Sequence, residues 1–144
     1  MTGGRLAPDR RCIVDTSAYY ALIDSSDRHH SDALVLLRHL ADQRWRLFTT
    51  NLVIAETHAL VLNRLGRGVA LAFLGAMAES STTVERVTPA DEQRALEIIR
   101  QYQDKDFSLT DASTFSVAGR IGVTIAFSFD RNFNQYGLSI LQAD

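Results

Sequence analysis

Apolar and polar positions along this chain switch period repeatedly, and each switch marks the border of a strand or a helix. Cys12-Ile13-Val14 is a short apolar, partly β-branched run ending at Asp15, and it reads as a buried strand. Thr16-Ser17 then offers a helix cap, and Ala18, Tyr19, Leu22 and Ile23 recur at helical spacing on one face. Asp24-Ser25-Ser26-Asp27 is a turn cluster. Ser31 to Asp42 reads as a second helix, with Ala33, Leu36, Leu37 and Leu40 in phase. Trp45 to Thr49 alternates as a strand does. A third helix, capped by Thr50 or Asn51, runs to Leu65 with Leu52, Ala55, Ala59 and Leu62 inward, and Gly66 stops it.

The second half continues the alternation. Val69 to Ala78 is an apolar helix and Thr82 to Val87 a β-rich run. Thr88-Pro89 starts a helix, a cap followed by proline at the first helical position, and that helix runs to about Tyr102. Ser108 opens another, with Asp111 where a capping-box acid belongs, and Gly119 to Gly122 closes it. Val123 to Phe127 is a strand ending near Ser128-Phe129-Asp130. Gly137 is a turn, and Leu138 to Leu141 a last short strand. Strands alternating with helices throughout imply an α/β domain whose mainly parallel sheet is covered on both faces.

The length of 144 residues suits one domain with a real core. Residues 1–10 are polar and read as a flexible tail, leaving 11–144 as a single folded domain. No stretch approaches the roughly 20 apolar residues that span a bilayer, and no apolar segment near Met1 resembles a secretory signal. Cys12 is the one cysteine. A disulfide within the chain and a cysteine-based zinc site are therefore excluded, and a buried structural thiol in a reducing cytoplasm is expected. The net charge of −2 does not by itself point to nucleic acid. If four acids shared one metal-binding cleft, 13 acids would remain against 15 basic residues. That remainder carries +2, so charge does not exclude a polyanionic substrate.

Four acids fall where such a cleft would lie. Asp15 ends the first strand and Asp130 lies just past a late one; in open parallel sheets, ligands bind beyond the carboxyl ends of the strands. Glu56 sits in the second turn of the helix after strand two, and Asp111 in the first turn of the helix before the Asp130 strand. Four carboxylates brought together repel unless a cation sits between them. Hard divalent ions such as Mg2+ or Mn2+ prefer oxygen ligands and bind phosphates, which suits phosphodiester hydrolysis. Each acid also has a purely structural reading: Asp111 as a helix cap, Glu56 as a solvated helix residue, Asp130 as a turn acid, Asp15 as a strand-end cap.

The same segments carry a family resemblance. Ile13-Val14-Asp15-Thr16-Ser17-Ala18 resembles the opening motif of PIN domains, in which an apolar strand delivers the first acid. Ala55-Glu56-Thr57 is similar to the second-acid segment, Leu109-Thr110-Asp111-Ala112 to the third, and Ser128-Phe129-Asp130-Arg131-Asn132-Phe133 to the late one. Any one motif is weak; all four in order, from about Cys12 to Leu141, are specific, and the set is most similar to toxins of VapBC-type toxin–antitoxin modules. The resemblance implies a three-layer α/β/α sandwich and a Mg2+- or Mn2+-dependent endoribonuclease in which Asp15, Glu56, Asp111 and Asp130 hold the metal. It also implies Thr16, Ser17 and Ser128 as helpers, structured RNA (tRNA or ribosomal RNA) as substrate, a cognate VapB-type antitoxin and a homodimer. Asp106 precedes the third motif and stands as a possible further ligand. Two other readings keep the fold: a housekeeping RNA-processing nuclease and a non-catalytic binding protein.

Other features carry less. His29, His30, His39 and His58 form no metal-binding spacing, and Ser17 has no patterned histidine to activate it as a nucleophile. Gly66-Arg67-Gly68 follows a helix rather than a strand, unlike a phosphate loop. Arg64, Arg67, Arg120 and Arg131 are either phosphate contacts or solvated surface. The only lysine, Lys105, is misplaced for a receiver-type module, and Ser17 stands where a dehalogenase-type phosphatase needs a second aspartate.

Overall fold

The first strand is built for burial on both faces. A computed structural model describes residues 9–143. In it β1 (Arg11–Val14) occupies the centre of the sheet, between β2 (Arg46–Thr50) and β4 (Ile125–Phe127). Cys12 and Val14 point to one face and Ile13 to the other, all of them buried, as the two-residue period of a strand requires. The full sheet has order β3-β2-β1-β4-β5, adding β3 (Thr83–Glu85) and β5 (Ser139–Ile140) at its edges, and every pairing is parallel.

Helices cover both faces, giving the expected three-layer sandwich. On the Cys12 side, α1 (Thr16–Ile23) and α2 (His30–Asp42) pack Ala18, Ala21, Ala33, Leu36 and Leu40 against Val14 and Phe127. On the Ile13 side, α5 (Pro89–Gln101), α6 (Leu109–Ile121) and α7 (Arg131–Tyr136) supply Ile98, Phe115 and Phe133. Phe115 is enclosed by aromatic rings, edge-on to Phe107 and Phe133 and stacked on Tyr136 at 4.3 Å. A smaller cluster of Tyr20, Val61 and Ala70 joins α1 to α3 (Asn51–Leu65) and α4 (Arg67–Glu79). Gly66 divides α3 from α4 at φ +94°, a backbone conformation open to glycine.

Several local expectations change. The cap of α1 is Asp15, whose Oδ1 accepts from the Ala18 amide, rather than Thr16 or Ser17. Helix α3 buries Val53, Thr57 and Val61, not the expected Leu52-Ala55-Ala59-Leu62 face; Leu62 is 44% exposed. Both stripes recur at helical spacing, and the polar Thr57 disguised the one that faces the core. Leu37, expected in phase on α2, is also exposed. Helix α7 has no counterpart in the sequence reading. Of the anticipated tail, residues 1–8 lie outside the described residues. Arg10 is held to the domain, its carbonyl accepting from the Arg46 amide at 2.8 Å.

Candidate active site at the β1–β4 crevice

The chain leaves β1 towards β2 on one side and later returns to β4 on the other, so the β1–β4 border is where strand order reverses. Crevices beyond the carboxyl ends of strands at such a border are the usual ligand sites of parallel sheets. The two strand ends are level: Val14 pairs with Phe127, and the Asp15 amide donates to the Phe127 carbonyl at 3.3 Å. Asp15 and Ser128 are thereby delivered side by side.

Asp15 is 4% exposed, and its carboxylate is fully engaged. Oδ1 accepts from Ser17 Oγ at 2.7 Å and from the Ala18 amide at 3.1 Å, and Oδ2 accepts from Ser128 Oγ at 2.8 Å. Burial pushes this carboxyl up to about 7; the Ser17, Ser128 and Ala18 hydrogen bonds oppose the rise, and the Asp130 charge adds to it. Thr49 Oγ1 reaches across from β2 to the Val14 carbonyl at 2.9 Å, fixing the peptide just before Asp15.

Asp130 caps α7, its Oδ1 accepting from the Asn132 amide at 2.9 Å. Its own amide donates to Ser128 Oγ at 3.0 Å. One hydroxyl thus touches two of the acids' residues, donating to Asp15 and accepting from Asp130. Asp111 completes the expected capping box of α6 with Ser108. Its Oδ2 also accepts from Asn132 Nδ2 at 3.2 Å. Burial raises the Asp111 carboxyl; the Asn132 bond opposes this, and the charges of Asp130 and Glu56 add to it. The structural reading of Asp111 as a cap and its place beside the other acids therefore hold together. One carboxylate does both.

Glu56 is the outlying member, exposed on the second turn of α3, with its charge felt at Asp111. Asp106 lies exposed in the loop before α6, and among the described residues no hydrogen bond ties it to these acids. Of the three hydroxyl residues, Ser17 and Ser128 both hold Asp15, while Thr16 Oγ1 is buried with no partner among the described residues. Sequence reasoning passed over Asn132. Its side chain touches Asp111 and its backbone touches Asp130, and its place two residues after an aspartate was the available signal, since such positions often close a turn. Among the described residues, no three His, Cys, Asp or Glu side chains stand close enough to enclose an ion. The cluster is open towards solvent.

An oxygen-only cluster at the switch point of a five-stranded parallel sheet defines a class of protein, and comparison with known sequences gives it a name. The PIN domain family matches residues 12–138, and the chain belongs to that family, on its VapC side. It is 32% identical over 125 residues to the 23S rRNA-specific endonuclease VapC20 of Mycobacterium tuberculosis, covering 87% of this chain and 93% of that protein. It is 30% identical over 125 residues to a VapC ribonuclease of Archaeoglobus fulgidus, covering 85% and 78%. The crystal structure of Mycobacterium tuberculosis VapC20, a Sarcin-Ricin loop cleaving toxin, superposes with a TM-score of 0.82 at 31% identity, over 91% of this chain and 98% of that one. FitAcB from Neisseria gonorrhoeae shares the fold at a TM-score of 0.64 and 11% identity, over 92% and 97%.

Proposed function

We propose that this chain is a divalent-metal-dependent endoribonuclease, the toxin of a toxin–antitoxin pair, and that Asp15, Glu56, Asp111 and Asp130 form its active site. The observation that carries the reading is the linkage of three acids from three separate elements, Asp15 to Asp130 through Ser128 and Asp130 to Asp111 through Asn132. The relatives named as ribonucleases support it. A fold needs no such convergence for stability: burial raises the proton affinity of both Asp15 and Asp111, and the neighbouring acids add to it.

The donor set fits Mg2+ or Mn2+. It is all oxygen, and its open side suits ions that keep several waters and bind through one or two carboxylates together with substrate phosphates. Asp111 and Asp130, bridged by Asn132, would hold the ion, with Asp15 behind them and Glu56 at the rim. Such an ion, when bound, polarises a phosphoryl oxygen and eases ionisation of a water. The chain's own residues supply the rest. Ser17 and Ser128 orient both oxygens of Asp15. Burial raises the Asp15 carboxyl in the metal-free protein, and a cation held beside it would favour its charged form. Thr16 is the remaining helper, and Asp106 a further ligand only if the loop before α6 moves inward.

The substrate would be structured RNA, tRNA or ribosomal RNA, with ribosomal RNA favoured by the VapC20 relative. Protein partners, a cognate VapB-type antitoxin and a second copy of this chain, would meet exposed apolar side chains such as Leu34 and Val35 on α2 and Leu71 on α4. No helix among the described residues is long and apolar enough to cross a membrane, and the setting we propose is the cytoplasm.

The test is to induce the protein in a bacterial host and map new RNA 5′ ends, beside an Asp111→Asn variant that keeps the side chain's size and removes its charge. Discrete ends absent from the variant establish the nuclease and identify its target. Ends that persist in the variant would sink the acid-cluster mechanism.

A further inference from the structure

We infer that the stacked rings of His29 and Phe129 form a platform for one unstacked base of the RNA, with Arg28, Arg64 and Arg131 holding the neighbouring phosphates. This rests on the ribonuclease reading and adds to it the residues that set substrate register.

The two rings lie 4.5 Å apart and within 7° of parallel. They form a wall between two clefts, of about 590 and 440 Å3, and both clefts reach Asp130. Neither ring is fully buried. Phe129 stands between Ser128 and Asp130 in the chain, and its amide donates to Ser17 Oγ at 2.9 Å, the same hydroxyl that donates to Asp15. Phe129 is therefore tied to the acids through the Ser17 hydroxyl. His29 is held from the other side: its amide donates to Asp27 Oδ1 at 2.8 Å, and Arg28 Nε donates to its Nε2 at 3.1 Å.

The larger cleft is lined by Arg28, Arg64 and Arg131, with Asp27 and Asp130 as its acids. Arg64 lies over the Tyr20 ring at 5.2 Å. These arginines differ from Arg120, whose guanidinium is spent on Asp91 and Glu85, and from Arg11, which is paired with Asp9. Flat aromatic surface beside cationic side chains is how proteins bind single-stranded segments, because every base has a face that stacks and every nucleotide carries a phosphate. A base resting on the His29–Phe129 wall would place an adjoining phosphate beside Asp130.

The experiment uses the full chain carrying Asp111→Asn and a short RNA stem-loop oligonucleotide with 2-aminopurine at successive loop positions. Stacking on the rings quenches the probe at one position. His29→Ala weakens binding about 5- to 100-fold, the range that loss of one stacked base gives, and removes the quench; His29→Tyr restores both. Arg64→Gln and Arg131→Gln weaken binding but keep the quench, and each lowers the slope of log affinity against log salt by about 0.7. Binding without a quench at any position, or His29→Ala binding and quenching as its parent does, overturns the platform. No binding of the oligonucleotide at all also overturns it. The measurement needs no cleavage, so the platform and the nuclease reading fail separately: cleavage by the unmodified chain without a quench removes only the platform.

Discussion

The side-chain amide of Asn132 donates to Asp111 Oδ2 across 3.2 Å, joining the first turn of α7 to the first turn of α6. Asn132 is also the residue whose backbone amide Asp130 caps. A single asparagine therefore sets the spacing of two acids that arrive from opposite ends of a helix–strand unit.

Removing that link should cost activity more than stability. If Asp111 and Asp130 hold an ion as proposed, Asn132→Ala lowers ribonuclease turnover or metal affinity by about 10- to 100-fold, the usual effect of losing a group that orients a metal ligand. Its loss in folding free energy should stay near 1 kcal/mol, that of one partly exposed hydrogen bond. Turnover equal to that of the unmodified enzyme would show that Asn132 serves only the helix.

Asp15 gives the protein a pH signature in the absence of added metal. Its carboxyl sits at about 7 in the fold against 3.8 ordinarily. Between those values the folded chain holds a proton that the unfolded chain has released, so this group makes stability fall as pH rises from about 4 towards 7, and adds no further loss above. Denaturant titrations with chelator at pH 5 and 8 should show the difference, and Asp15→Asn should reduce it. Ser128→Ala removes a bond that opposes the rise, so with chelator present the pH at which this stability loss levels off should move higher. Mn2+ binding by calorimetry should strengthen from pH 6 to pH 8 and release protons as it does. Affinity independent of pH would count against Asp15 as a participant.

The Asp91–Arg120 pair has the opposite sign. Burial pushes the Asp91 carboxyl up, but the Arg120 hydrogen bonds and the Thr88 amide and hydroxyl outweigh it and hold the group below its ordinary 3.8. Its stabilisation is present above that value and disappears as pH falls through the lowered one. Arg120→Ala leaves a 3% exposed carboxylate without its cationic partner. It should cost about 1–3 kcal/mol at pH 7, less than a fully buried pair because Arg120 itself is partly solvated. The same variant measured near pH 3 should lose less. An equal loss at both pH values would mean packing, not charge, accounts for it.

Phe133 anchors α7, with no exposed surface and an edge-on contact to Phe115 at 4.9 Å. Phe133→Ala should destabilise the fold by about 3–5 kcal/mol and loosen Asp130 and Asn132, which precede it on the same short helix. Thermal unfolding and cleavage assays together check this. A variant with a lowered melting point but full activity would separate the helix from the site.

The placement of the acids in the fold was legible because each sits at the border of an element with a strong local signal. Asp15 follows an apolar β-branched run, Asp111 occupies a capping-box position, and Asp130 comes just after a strand. The inward face of α3 was not legible. Two stripes on that helix have the same period, and only packing of Val53, Thr57 and Val61 against the rest of the domain chose between them. That choice leaves Glu56 exposed at the rim. Helix α7 escaped notice because its six residues, Arg131–Tyr136, are too few to establish a periodic pattern.

By itself the sequence determined the alternation of strands and helices, the α/β class, and the residue types able to bind a hard cation, since these follow from local period, capping chemistry and side-chain charge. Tertiary structure decided which of those residues meet. Strand order placed β4 beside β1, and so set Asp15 against Ser128, 113 positions apart. Asn132 became a bridge, and His29 a partner for Phe129, for the same reason. Contacts between distant segments depend on how layers pack around a common core, and local periodicity carries no record of that.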